Sequence, residues 1–226
     1  MGSCNRAKIT MDFYYMPISA PCRSGMLTAK AVGVELNLKH LDLFSGEHMK
    51  PEFLAINPQH VIPTLIDGDF VLWESRAICT YLISQYGKED SLYPSDPKTR
   101  ATIDRLLYFD MGTLYHRFGE YVYPVMFRGE EKVDPVKLEA LHEALGWLND
   151  FLAGHEWAVG DNVTVADNVL VASVSTFEAS GIDISKHANV AAWLEKCKST
   201  LPGYAEINDP GAVAFGKMAK AKLGID

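Results

Sequence analysis

Three side chains that can handle a thiol stand within eight positions in YYMPISAPCRSG, residues 14–25: Tyr15, Ser19 and Cys22. A phenol or hydroxyl can donate a hydrogen bond to a thiolate, and a cysteine can itself attack or resolve a disulfide. The run after PISAP continues as a helix, so the turn aims backbone N–H groups and a positive helix end at whatever sits above Ser19. A free thiol with a pKa near 8.5 is only a few per cent ionised at neutral pH. A hydroxyl donating to the charged form contributes about 1.5–3 kcal/mol, and a helix end up to about 2 kcal/mol. At about 1.36 kcal/mol per unit, those effects lower a bound thiol's pKa by roughly one to three units.

Other residues can hold the molecule that carries such a thiol. Pro63 interrupts VIPTL, which otherwise reads as a strand, and a proline there removes a ladder donor. A cis Ile62–Pro63 bond would turn the Ile62 backbone N–H and C=O outward to pair with a peptide ligand as an added strand; a trans proline on an edge strand is the alternative. Glu74-Ser75-Arg76 falls where a strand ends and a helix begins. Helix-start N–H groups and the Ser75 hydroxyl there suit a carboxylate, although Ser75 also reads as a plain N-cap and Arg76 as a solvated helix residue. His48 and His60 flank the loop before Pro63 and show no zinc spacing.

These residues need a scaffold. MDFYYM over residues 11–16, the helix after it and the alternating VELNLKHLDL from Val34 form a βαβ unit. VIPTLID and FVLWE are two strands joined at Asp67-Gly68-Asp69, and RAICTYLISQY is a helix from Ser75. The expectation is a small α/β domain over residues 11–87, a linker over 88–96 and an all-helical domain over 97–226. Three Asp-Pro pairs, at Asp96, Asp134 and Asp209, each predict a helix start with an aspartate cap. The segment from Pro97 to about Phe127 reads as one helix of roughly 45 Å. Thr164 to Asp167 resembles a capping box ahead of a buried helix.

Residues 1–10 begin Met-Gly and carry Cys4, but Arg6 stands where the myristoylation pattern wants Ser or Thr, so a disordered extension is expected. The formal charge of −8 argues against nucleic acid, and no apolar run approaches the roughly 18 residues of a membrane span. Cys4, Cys22, Cys79 and Cys197 lie far apart, with no metal spacing and no secretory apolar region, which fits free thiols in a reducing cytoplasm.

YYMPISAPCRS, NPQHVIPTL, LWESRAI and the TVAD box, in this order across nearly all of residues 11–226, resemble the cytosolic glutathione S-transferases, and above all their insect-type delta class. The resemblance implies an α/β thioredoxin-like N-terminal domain and an all-α C-terminal domain, working as a homodimer that transfers the glutathione thiolate to electrophilic, mostly apolar compounds, with detoxification as its role. It implies that Ser19 activates the thiol and that His48 and His60 contact the glycine end of glutathione. Val61, Ile62 and a cis Pro63 would hold the cysteinyl part, and Glu74, Ser75 and Arg76 the γ-glutamyl end. Asp110 would support that end, even across the dimer. The apolar co-substrate is expected between the domains against Tyr115, Phe118, Tyr123, Phe127 and Phe215, although such a stripe also reads as core. Glutathione enters as substrate, and no metal is expected.

Two positions depart from the family pattern. Ile18 stands where glycine is frequent, implying a stiffer, more crowded turn, and Asn168 is polar where an apolar residue is usual. Peroxidase or dehydrochlorinase side activity, ligand carriage in the interdomain cleft, and thiol–disulfide chemistry through Cys22 remain alternatives. Tyr15 competes with Ser19 as the thiol's hydrogen-bond donor, because tyrosine-type transferases keep their hydroxyl at that place.

Overall fold

A computed structural model describes residues 10–225, so the readings on Cys4 and on the rest of residues 1–9 lie outside the described residues. Strand β1 (Thr10–Tyr15) takes in the last residue of the expected extension. Helix α1 (Ala20–Val32) follows after one tight turn, and β2 (Glu35–His40) pairs with β1 in parallel, closing the βαβ unit. β3 (Thr64–Asp67) and β4 (Phe70–Trp73) form the antiparallel hairpin, giving the strand order β2-β1-β3-β4. The stretch between β2 and β3, expected as plain loop, holds a short 3-10 turn at Glu47–Met49 and one helical turn, α2 (Pro51–Leu54). Pro51 at the first helical position explains that turn, since its missing N–H costs nothing there.

Helix α3 (Ser75–Tyr86) packs on α1, and both bury apolar faces against Met11, Phe13 and Leu65 of the sheet. Beyond the polar stretch 87–96, α4 (Pro97–Phe109), α5 (Tyr115–Phe127), α6 (Pro135–Phe151), α7 (Val165–Ala179), α8 (Ala188–Thr200) and α9 (Asp209–Leu223) form the helical part. α1 also packs against α7, so one helix serves both layers. α7 is buried along Val165–Phe177 and begins at the expected box: the Asp167 carboxylate accepts from Thr164 N at 2.8 Å, Ala158 N at 2.9 Å and Trp193 Nε1 at 2.9 Å. Asn168 beside it is buried, with its Nδ2 unpartnered among the described residues.

Two sequence expectations need correction. The long helix is not uniform: a wide π turn over Asp110–Leu114 joins α4 to α5. Such a turn inserts an extra residue, and here it brings Asp110 inward to a cation on α3. Asp96 and Asp134 do cap their helices, each carboxylate accepting a backbone N–H at 2.9 Å. Asp209 does not, because its helix continues out of a second wide turn over Tyr204–Asn208 and Asp209 already lies inside it.

Between α6 and the start of α8, His142 Nδ1 and His187 Nε2 meet at 3.1 Å with their rings stacked. Burial and then Lys186 lower the His142 pKa, against the pull of Asp183; burial and then His142 lower that of His187, with Lys186 lowering it and Asp183 raising it. The unfolded chain therefore takes up these protons at higher pH than the folded one, and stability is lost as pH falls below about 6.5 through the lowered folded values. Thermal unfolding midpoints of His142→Gln between pH 7.5 and 5 are expected to fall less than those of the parent chain.

Candidate glutathione and co-substrate site

β1 ends at Tyr15, and the chain turns through Met16, Pro17 and Ile18, where Ser19 N–H donates to Met16 O at 3.0 Å. Ser19 holds the extended conformation of an N-cap, and its Oγ accepts from Cys22 N–H at 3.4 Å. That long bond uses a lone pair and leaves the hydroxyl proton to donate elsewhere. Ile18 needs none of glycine's freedom, since among the described residues the positive-φ residues other than glycine are His60 and Glu74. Its side chain instead forms part of a cavity wall.

That cavity has a volume of about 350 Å³. Met16, Ile18 and Ser19 line it from the first turn, Leu43, Phe44 and His48 from the segment after β2, Tyr115, Tyr123 and Phe127 from α5, and Phe215 from α9. Sequence reading missed Met16, Leu43 and Phe44, which carry no motif. Phe118, expected on this wall, is fully buried instead, stacked on Phe177 with centroids 4.4 Å apart and tilted against Phe215. At about 100° per residue Phe118 lies about 60° to one side of Tyr115, while Tyr123 and Phe127 lie about 80–120° to the other. Tyr15 also stays off the wall, half-buried against the core and edge-on to His40.

Cys22 is fully buried, and burial pushes its thiol up to about 11 against the lowering effect of the Ser19 hydroxyl. A buried thiol held protonated is a poor nucleophile, which argues against thiol–disulfide chemistry at that position. Arg23, one residue on, is also fully buried. It donates to Pro17 O at 3.2 Å, Asn208 Oδ1 at 3.0 Å, Ala172 O at 3.3 Å and Thr176 Oγ1, so it ties the turn before Ser19 to α7 and to the approach to α9. Burial lowers its pKa to about 10. Sequence offered no sign of this, because arginine ordinarily reads as a surface residue.

On the sheet side, Ile62–Pro63 is a cis peptide. Val61 O is taken by Thr64 Oγ1 at 2.8 Å and Asn57 Nδ2 at 3.2 Å, while among the described residues no hydrogen-bond partner takes the Ile62 backbone. His60 sits at φ 47°, and its ring lies 6.0 Å from that of His48, whose Nδ1 is buried without a partner among the described residues. Glu74 holds φ 71° at the start of α3, a conformation that costs a non-glycine residue of order 1–3 kcal/mol and collects at ligand sites.

Ser75 is the first residue of α3, and no cap bond runs from the Glu74 side chain. Arg76 Nη1 donates to Ser75 Oγ at 2.9 Å, and Nη2 pairs with Asp110. Burial pulls the Arg76 pKa down, but Asp110 outweighs it and the guanidinium stays charged. Asp110 is fully buried, its Oδ1 and the Arg76 Nε lack partners among the described residues, and the cation it meets belongs to its own chain. Glu74 and Arg76 line a separate recess of about 380 Å³ with Tyr108 and Met111. The Arg76 guanidinium lies 5.8 Å from the Tyr115 ring centroid, so this end adjoins the first cavity. Among the described residues no three His, Cys, Asp or Glu side chains gather as a metal site, and no helix is long and apolar enough to cross a membrane.

The chain matches the glutathione S-transferase N-terminal domain over residues 10–84 and the C-terminal domain over residues 98–200. A delta-class glutathione transferase of Nilaparvata lugens is 54% identical, with a TM-score of 0.91 over 94% of this chain and 99% of that one. A Bombyx mori glutathione transferase is 47% identical, with a TM-score of 0.89 over 92% and 97% of the two chains. A glutathione transferase homologue from Drosophila mojavensis, described with bound glutathione, is 33% identical, with a TM-score of 0.88 over 94% and 97%. With both domain families matched and this identity spanning nearly the whole chain, the protein belongs to the glutathione S-transferase family.

Proposed function

We propose that this glutathione transferase activates the glutathione thiol through the Ser19 hydroxyl and passes the thiolate to apolar electrophiles held between the first turn, α5 and α9. One observation carries the reading: the residue whose hydroxyl caps α1 also lines the apolar cavity, with its proton left to donate. The α1 dipole and that proton both favour the thiolate. The Ile62 N–H and C=O pair with the cysteinyl backbone as an added strand, beside Val61 and Pro63. His48 and His60 face the glycine carboxylate, and the unpartnered His48 Nδ1 supports that role.

At the other end, Ser75 and the N–H groups opening α3 bind the γ-glutamyl carboxylate, with Glu74 beside its ammonium. Arg76 and Asp110 hold Ser75 in place. The sulfur then attacks the electrophilic carbon: the C–S bond forms, the leaving group departs with its electron pair, and the thiol proton passes to solvent. Ser19, His48, Tyr115, Tyr123, Phe127 and Phe215 bound the co-substrate, and the same cavity would admit hydroperoxides or chlorinated hydrocarbons as side substrates.

Binding and activation separate experimentally. Ser75→Ala is expected to raise the KM for glutathione about tenfold, the worth of one charge-assisted hydrogen bond, while leaving the bound thiol's pKa in place. An unchanged KM with a shifted thiol pKa would contradict the assignment. The protein is further read as a cytoplasmic homodimer in which Tyr108 and Met111, both exposed in the single chain, meet a second copy. A sedimentation mass of one chain would contradict that.

A further inference from the structure

Helix α9 buries Gly211, Ala212, Phe215, Gly216 and Ala219. Of these five, Phe215 alone carries a large side chain. At two places the helix backbone lies directly on its neighbours. A Cβ on Gly211 would stand 2.2 Å from Pro17 O, in the turn before Ser19, and 3.1 Å from the Arg23 Nη1 that donates to the same carbonyl. A Cβ on Gly216 would stand 2.3 Å from Ala179 O, at the end of α7.

We propose that Gly211 and Gly216 are positioning residues for the second substrate: by seating α9 on the first turn and on α7, they set how far Phe215 reaches into the cavity, and so the bulk of the electrophile it accepts. The inference rests on the transferase reading of that cavity and adds what limits its size.

Glycine is a poor helix former, so two of them on the buried face of one helix need a packing reason, and the two close approaches supply it. The spacing of packed helices follows from the side chains between them. Phe215 stands between the two contacts, next to Gly216 and one turn after Gly211. Its ring lines the cavity together with Ile18 and Ser19 and tilts against Phe118 with centroids 6.0 Å apart. A methyl group at either glycine would force α9 to retreat by about 1 Å to restore ordinary contact, carrying Phe215 with it. At Gly211 that retreat is from the turn that carries Ser19, which widens the cavity between its two walls. Gly146 in α6 is the contrast, since a Cβ there meets nothing within 4 Å.

The test uses two electrophiles with one reacting centre, benzyl chloride and the bulkier 1-(chloromethyl)naphthalene. In both, the thiolate forms the C–S bond as the C–Cl bond breaks and chloride leaves with the electron pair. The ratio of kcat/KM, naphthyl over benzyl, is measured at saturating glutathione in the parent chain, Gly211→Ala, Gly216→Ala, Gly146→Ala, Phe215→Leu and the double variant Gly216→Ala with Phe215→Leu. A change that merely weakens the fold lowers both rates and leaves their ratio in place.

The ratio is expected to rise about 3- to 10-fold in each of the first two alanine variants, at or below the lower end of what the fit of one methylene is worth in a pocket. Gly146→Ala is expected to leave it unchanged. Phe215→Leu is expected to raise it, and adding Gly216→Ala to that variant to change it little further, because the glycine acts through the ring. The pKa of the bound thiol in Gly216→Ala is expected to match the parent's, which keeps this outcome separate from the role of Ser19. A ratio within about twofold of the parent's in both Gly211→Ala and Gly216→Ala, while Phe215→Leu moves it, would overturn this inference alone; an unmoved ratio in Phe215→Leu as well would overturn the cavity reading with it. Loss of glutathione binding in both glycine variants would assign the glycines to folding only and would likewise overturn the proposal.

Discussion

Replacing Arg23 with methionine is expected to lower the unfolding free energy by about 3–5 kcal/mol in urea titration, the usual cost of breaking a buried polar network. The side chain is fully buried and donates to four acceptors from three parts of the chain. Without it, Asn208 Oδ1 loses its donor inside the core, and each such orphan costs about 1–3 kcal/mol. The four acceptors are all neutral, so removing the cation also relieves a desolvated charge; that offset is why the estimate stays well below the sum over four bonds. Lysine is not expected to rescue it, because a single ammonium cannot copy the planar fork that reaches Pro17, α7 and Asn208 together. Space is equally tight there: a Cβ on Gly211 would stand 2.2 Å from Pro17 O and 2.7 Å from Arg23 Cδ. Because Pro17 lies two residues before Ser19, the same substitution should also loosen the turn that carries Ser19.

Ser19→Ala is expected to give the second large effect, which under the proposed role of Ser19 falls on chemistry rather than stability. Losing a hydrogen bond to a charged sulfur removes about 1.5–3 kcal/mol, which at about 1.36 kcal/mol per unit raises the bound thiol's pKa by roughly one to two units. Below that pKa the thiolate fraction, and turnover with it, falls about tenfold per unit. The cost to folding is expected near the low end of the 0.5–2 kcal/mol range for an N-cap, because the capping bond is long at 3.4 Å.

The parts of this molecule that sequence made legible obey local rules. Alternation, a two-residue hairpin turn and a proline-marked linker fix the sheet and its two helices. Asp96, Asp134 and the Thr164–Asp167 box act through neighbours three or fewer residues away. What sequence hid depends on distant partners. The wide turn at Asp110 follows from an attraction to Arg76, 34 residues away, within an otherwise unbroken helical pattern. Arg23 is buried because its acceptors lie up to 185 residues away. Asp209 carries the same Asp-Pro signal as the two true caps, but the preceding turn is already helical, so no N-cap position is left for it. Phe118 shares a helix with the cavity residues, and only the packing of Phe177 and Phe215 decides which way it rolls. The residues of the proposed thiol site stand at a strand end, a turn and a helix start, which are themselves local features that a sequence displays.

The assignment of Ser19 is tested most directly by titrating the thiolate absorbance of glutathione bound to the parent chain, to Ser19→Ala and to Tyr15→Phe. The account predicts a parent pKa roughly one to three units below the ordinary thiol value of about 8.5, a rise of about one to two units in Ser19→Ala, and no movement in Tyr15→Phe. A thiol pKa that stays put in Ser19→Ala and rises in Tyr15→Phe would contradict it.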